Sequence, residues 1–108
     1  MKNDLNPQKK GQLAENLASK YLEEKGYKII ERNWKFGKKE IDIIAIKDDL
    51  VIIIEVKCRS SNMFGNPEEA VSLTKENNLI DAAEAYCVQK DITFEFRFDI
   101  ISVILDGK

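Results

Sequence analysis

Among the charged residues of the stretch from Lys39 to Arg59, KEIDIIAIKDDLVIIIEVKCR, Glu40, Asp42, Glu55 and Lys57 have the types and spacing of a reactive cluster. The rest of it is mostly Ile and Val, the composition of two β-strands, joined at Asp48-Asp49. A two-residue turn at those aspartates pairs Lys47 with Leu50. The same register sets Asp42 across from Glu55 and Glu40 across from Lys57, so all four share one face of the hairpin. Directly opposed carboxylates repel, and a half-buried sheet solvates them poorly. A divalent cation such as magnesium would remove the conflict, because hard cations take carboxylate oxygens. The alternative is an exposed face with Glu40 and Lys57 as a surface ion pair. Against it, Val51 and Ile53 continue that face as apolar residues.

The chain contains no histidine. That excludes a Ser-His-Asp triad, a Cys-His pair and histidine-ligated zinc, leaving carboxylates, lysines and bound water for any acid–base chemistry. A net charge of −2 is not that of a polycation made for nucleic acid, although Lys and Arg cluster locally at 35–39 and 57–59. Cys58 and Cys87 form no metal-binding spacing and no disulfide framework, which reads as two reduced thiols. No apolar run approaches the roughly 20 residues that span a bilayer. The opening MKNDLNPQKK lacks the apolar core of a signal peptide, so the expected location is cytoplasmic, with no membrane partner. With 108 residues, one domain over residues 1–108 and one core are expected.

The elements that must position the four side chains follow in order. Asn6-Pro7 supplies an N-cap and a proline for a first helix ending at Gly26, with an apolar stripe of Leu13, Ala14, Leu17, Ala18, Tyr21 and Leu22. Glu15 falls at the edge of that stripe, where it is either solvated or turned toward a site at the rim of the sheet. Tyr27 to Trp34 reads as a strand, and Phe36-Gly37-Lys38 turns it into the central hairpin. After the polar loop 60–65, a second helix starts at Asn66-Pro67 or at Thr74 and carries a stripe of Leu79, Ile80, Ala83, Tyr86 and Cys87. Lys75 precedes Leu79 by one turn, either snorkelling to water or directed at the site. Phe94 to Leu105 is the last strand, with Phe94, Phe96, Phe98 and Ile100 on one face and Glu95, Arg97 and Asp99 on the other. A helical crossover favours a parallel pairing with the Glu55 strand. The expected fold class is α/β, an αβββαβ order with a mixed central sheet flanked by helices.

An acid on one strand followed by Glu-x-Lys on the next resembles the PD-(D/E)XK (restriction-endonuclease-like) nuclease superfamily, with Asp42 and then Glu55-Val56-Lys57 in those places. The whole chain resembles the YraN-like family of small bacterial proteins placed in that superfamily. The resemblance is carried by Ala14-Glu15, Gly26-Tyr27, Arg32-Asn33-Trp34, Glu40-Ile41-Asp42, Glu55-Val56-Lys57-x-Arg59, Phe64-Gly65-x-Pro67, Lys75 and Arg97-Phe98-Asp99. Two glycines of the family pattern, before Glu15 and before Glu40, are here Ala14 and Lys39. The resemblance implies a restriction-endonuclease-like core. It also implies that Asp42 and Glu55, with the Val56 carbonyl as a third ligand, hold Mg2+ or Mn2+. Lys57 would orient the attacking water or stabilise charge on the phosphate, and Glu15 would be an outer acid reaching the metal through water. Arg59, Lys75 and Arg97 would contact substrate.

Three functions are compatible with these residues. The first is a metal-dependent DNA endonuclease or resolvase-like enzyme that hydrolyses phosphodiester bonds. The second is a nucleic-acid-binding module whose cleavage is weak or partner-dependent, favoured by the small size and acidic balance. The third is a protein-interaction module. The implied partner is DNA, branched or otherwise structured. A homodimer would double the gripping surface, as in resolvases acting on symmetric junctions.

Overall fold

Helix α1, Pro7–Glu24, opens where the sequence places its cap. The Asn6 side chain accepts the Lys9 N–H at 2.8 Å, with Pro7 in the first turn. The computed structural model describes residues 6–59, 73–93 and 95–105, and in the second helix side chains from 79 onward. After α1 come strands β1 (Lys28–Phe36), β2 (Lys39–Lys47) and β3 (Leu50–Arg59), helix α2 (Leu73–Gln89) and strand β4 (Glu95–Ile104). The second helix therefore includes Thr74, while the Asn66-Pro67 start lies outside the described residues, as do Phe64 and Phe94. The fold is α/β, with one mixed sheet in the order β1-β2-β3-β4.

The first three strands form the expected antiparallel meander, and β4 runs parallel to β3. Asp48 and Asp49 both take positive φ, 53° and 63°, as a two-residue type I′ turn requires. That turn sets Lys47 against Leu50, and the register continues pair by pair to Ile43 against Ile54.

Both faces of the sheet are covered. On one, Ala18 and Leu22 of α1 pack on Ile43, Ala45, Ile52 and Ile54; on the other, Ala82, Ala83 and Tyr86 of α2 pack on Ile44, Val51 and Ile53. Burial on both faces explains why β2 and β3 carry continuous aliphatic runs instead of alternating ones. Ile43, Ile44, Ile52, Ile53 and Ile54 are each at most 1% exposed. Complete burial of such a side chain stabilises by roughly 1.5–3 kcal/mol. Tyr86 also sets its ring edge-on to Trp34, with centroids 5.2 Å apart, and its hydroxyl donates to Glu31 Oε1 at 3.4 Å.

Two apolar faces are only partly covered. The α1 stripe is buried on one side only: Ala14, Ala18 and Leu22 are inside, whereas Leu13, Leu17 and Tyr21 stay 37–53% exposed. Leu22, as large as Leu13 and Leu17, is covered because it lies with Ala18 on the side of the helix that meets the sheet. On β4, Ile100 is 43% exposed, whereas Phe96 and Phe98 of the same strand pack against the cluster under α2.

Candidate functional site

Three neighbouring strands are irregular at one level of the sheet. On β1, Asn33 takes φ 53°, a left-handed conformation that Asn tolerates better than most residues. The β1–β2 register passes from Arg32–Ile43 to Trp34–Ile41 with no pair for Asn33 and Asp42. The β2–β3 register stops at Ile43–Ile54, one step before Asp42 and Glu55 would meet. Side-chain alternation breaks here too, since Ile41 and Ile44, three positions apart, share the cluster under α2. Asp42 thus sits where β2 parts from β3.

The opened ladder is bridged by Asp42 itself. Its Oδ2 accepts the backbone N–H of Val56 at 2.8 Å. In an antiparallel strand a residue's N–H and C=O point to the same neighbour, so the Val56 carbonyl faces the same gap. Burial pushes the Asp42 carboxyl up to about 6; the Val56 N–H opposes that shift, and the charges of Glu15, Glu55 and Glu40 add to it. Asp42 therefore feels the negative charge of three glutamates.

Glu15 reaches this level from α1. Both its oxygens accept Asn33 Nδ2, at 3.1 and 3.2 Å, and Arg32 Nη2 lies 3.6 Å from Oε1. The same Arg32 nitrogen donates to Asn16 Oδ1 at 2.9 Å, tying α1 to β1 twice. Of the two readings of Glu15, the geometry selects the one turned toward the sheet rim. On β3, Lys57 Nζ lies 3.0 Å from Glu55 Oε2, with the glutamate side chain 11% and the lysine 29% exposed. The expected register of Glu40 opposite Lys57 is thereby corrected, and the alternative of an ion pair between them is not formed: the ladder between β2 and β3 has ended, and the cation goes to Glu55 along its own strand. Glu40 instead pairs in register with Lys35 of β1 and is exposed.

The remaining candidates divide. Arg59 ends β3 two residues beyond Lys57, and its carbonyl accepts the Leu105 N–H at 2.8 Å. Lys75 lies on α2, but its side chain is outside the described residues. Arg97 is not brought to the acids. It pairs in register with Ile52, three residues from Glu55, and donates to both Asp99 oxygens at 2.9 and 2.8 Å. Its Nη2 also approaches the Tyr27 hydroxyl at 3.5 Å, near the Asp48 turn. Sequence reasoning assigned no role to Arg32 and Asn33, the two residues that hold Glu15. The signal for Asn33 was the asparagine itself, inside a strand that otherwise favours β-branched residues.

Among the described residues no three acidic, cysteine or histidine side chains close into a cage for a metal ion. The donor set is that of a hard ion bound sparingly. Asp42 keeps Oδ1 beyond its bond to Val56, and Glu55 and the Val56 carbonyl lie across the gap. Magnesium is ordinarily held by one or two carboxylates plus waters and substrate phosphates, so these residues fit it. No helix among the described residues is long and apolar enough to cross a membrane.

The structure is that of a small α/β protein whose mixed sheet opens around a partly buried aspartate. Its family is shown by sequence: the chain belongs to the uncharacterised protein family UPF0102, whose profile matches residues 14–103. That span includes Glu15, Asp42, Glu55 and Lys57. A UPF0102 protein of Flavobacterium psychrophilum is 45% identical over 98 residues, 91% of this chain and 82% of its own length. One from Bacteroides thetaiotaomicron is 49% identical over 94 residues, covering 87% and 78%. One from Dictyoglomus turgidum is 43% identical over 105 residues, covering 96% and 89%. The YraN-like assignment made from the motifs agrees with these matches.

Proposed function

We propose that the chain is a metal-dependent DNA endonuclease or resolvase-like phosphodiesterase of the PD-(D/E)XK type, with Asp42, Glu55 and Lys57 as its signature residues. The observation that carries this reading is Asp42, partly buried at the break between β2 and β3 and held there by the Val56 N–H. A fold gains no stability from a half-buried acid placed near three others; a binding site for a cation does gain from it.

In this reading Asp42 and Glu55, with the Val56 carbonyl, would hold Mg2+ or Mn2+. Such an ion supplies Lewis-acid polarisation of a phosphoryl oxygen and a water of lowered pKa. Lys57, kept in place by Glu55 at 3.0 Å, stands beside the developing negative charge on the phosphate or steers the attacking water. Asn33 and Arg32 orient Glu15, an outer acid that adds negative potential without being a direct ligand. None of these roles needs histidine. Arg59 follows on the same face of β3 and is a candidate phosphate contact, whereas Arg97 serves the far end of the sheet.

The experiment is a cleavage assay over branched, single-stranded and duplex DNA with manganese or magnesium. Metal-dependent nicking of at least one form supports the reading; none on any form, with a metal-responsive fold, leaves a nucleic-acid-binding module. That second reading is favoured by the small size of the chain and its net charge of −2, which leave little surface for gripping a duplex alone.

A further inference from the structure

The turn between β1 and β2 interleaves aromatic and basic residues, Trp34-Lys35-Phe36-Gly37-Lys38-Lys39, and begins one residue after Asn33. Trp34 and Phe36, two apart on one face of β1, are stacked, with ring centroids 6.0 Å apart and planes 3° from parallel. Tyr86 backs Trp34 edge-on, so the indole is fixed from behind, while Phe36 is 42% exposed. Both rings line a cavity of 520 Å³ whose other wall is α2, with Glu84 and Val88. Lys39 Nζ lies 5.8 Å from the Phe36 ring centre and 3.3 Å from Asp81 Oδ2, so its charge borders the cavity and offsets that of Asp81.

A half-exposed aromatic ring, backed by a second aromatic and with a lysine over it, is how proteins hold unpaired bases without sequence preference. The charge distribution fixes the orientation. Glu84 keeps phosphate out of the cavity but can accept a hydrogen bond from a base's exocyclic amine. The exposed Lys35 and Lys38 offer the phosphate chain a path along the free edge of β1. Phe36 is three residues from Asn33, roughly 10 Å along the strand. A base stacked there would belong to a nucleotide close to one bound at Asp42.

We propose that the Trp34–Phe36 face is a stacking platform for an unpaired base beside the cleavage site, which makes single-stranded or branched DNA, and not continuous duplex, the substrate class. This rests on the phosphodiesterase reading for the word "substrate", but the platform is testable without cleavage. Trp34 is the chain's one tryptophan, so its emission reports on the platform directly. The full chain, in EDTA and at one low salt concentration, would be titrated with a mixed-sequence single strand, its duplex and a forked junction. The single strand and the fork should quench Trp34 saturably, and the duplex should not. Phe36→Ala should weaken single-strand binding by roughly five- to a hundredfold, the range of one base–aromatic stack. Phe36→Tyr should restore it, and Phe36→Leu, which keeps apolar bulk without a π-face, should not.

An equal quench by duplex overturns the proposal, as does single-strand affinity that stays within about twofold in both Phe36→Ala and Phe36→Leu. Quenching produced by protein concentration alone also overturns it, since the rings would then be covered by a second copy. Quench and Phe36 dependence without cleavage in any metal uphold the platform while the phosphodiesterase reading fails. Cleavage without quench does the reverse.

Discussion

Asp42 accepts the Val56 N–H at 2.8 Å at the point where the β2–β3 ladder has ended. A side chain replaces a backbone carbonyl there, and that substitution keeps the strands apart without leaving the Val56 N–H unsatisfied. Everything proposed about the site depends on this contact, and so does the first prediction.

The Asp42 carboxyl moves from its ordinary 3.8 to about 6 on folding, chiefly through burial. Between those values the folded chain retains a proton that the unfolded chain has released. Stability should therefore fall as pH rises through that window, with the whole penalty present above it. Asp42→Asn keeps an oxygen for the Val56 N–H and removes the charge. After a discount for partial exposure, the variant should be more stable at pH 7.5 by on the order of 1 kcal/mol, with no gain below pH about 4. Urea titrations at the two pH values check this. An asparagine variant less stable at pH 7.5 would mean that the charge is already compensated within the fold.

Divalent cation should stabilise the native chain, because it binds the folded acids and not the unfolded ones. The increase in Tm with magnesium or manganese should be clear at pH 7.5, small at pH 5 where Asp42 holds its proton, and absent in Asp42→Asn. Thermal melts across that grid test it. A shift that persists in Asp42→Asn places the ion somewhere else.

Asn33 serves two ends, a left-handed turn of the chain and two hydrogen bonds donated to the Glu15 carboxylate. Asn33→Gly releases only the second, whereas Asn33→Ala also forces a Cβ into a conformation that costs about 1–2 kcal/mol. The glycine variant should thus be the more stable of the two by about that amount, measured by urea denaturation. Both should be less stable than the native chain through loss of the Glu15 tether. Equal stability of the two variants would show that the backbone there relaxes.

The hairpin register was legible because one constraint fixes it: a two-residue turn at Asp48-Asp49 determines every pair down to Ile43–Ile54. Extrapolated one position further it stops holding, since Asp42 bonds to a backbone N–H and Asn33 leaves the extended region. No rule of alternation contains that break. Glu15 was visible as a carboxylate at the edge of a helical stripe, but what turns it inward is a pair of residues on another element, Arg32 and Asn33. Arg97 looked like a substrate contact from its place in a motif; register sets it three pairs from Glu55, bound to Asp99. The sites at which local patterns mislead are the ones where tertiary contacts override them.

The central claim is that these residues perform metal-assisted hydrolysis, and Lys57 tests it most directly. Nicking and binding would be measured on the same preparations of native chain, Lys57→Ala and Asp42→Asn, with manganese, at one stated salt concentration, on the DNA form that the native chain cuts. Lys57→Ala should lower the cleavage rate by about a hundred- to a thousandfold, the usual loss on removing one electrostatic stabiliser of a transition state. Its DNA affinity should stay nearly unchanged, since one lysine–phosphate contact alters the salt slope by about one unit. Asp42→Asn should also stop cleavage, with binding equal or tighter because a negative charge near the phosphate is gone. Metal-dependent cleavage that survives both substitutions would contradict the account, for the activity would then belong to a contaminating nuclease and not to this site.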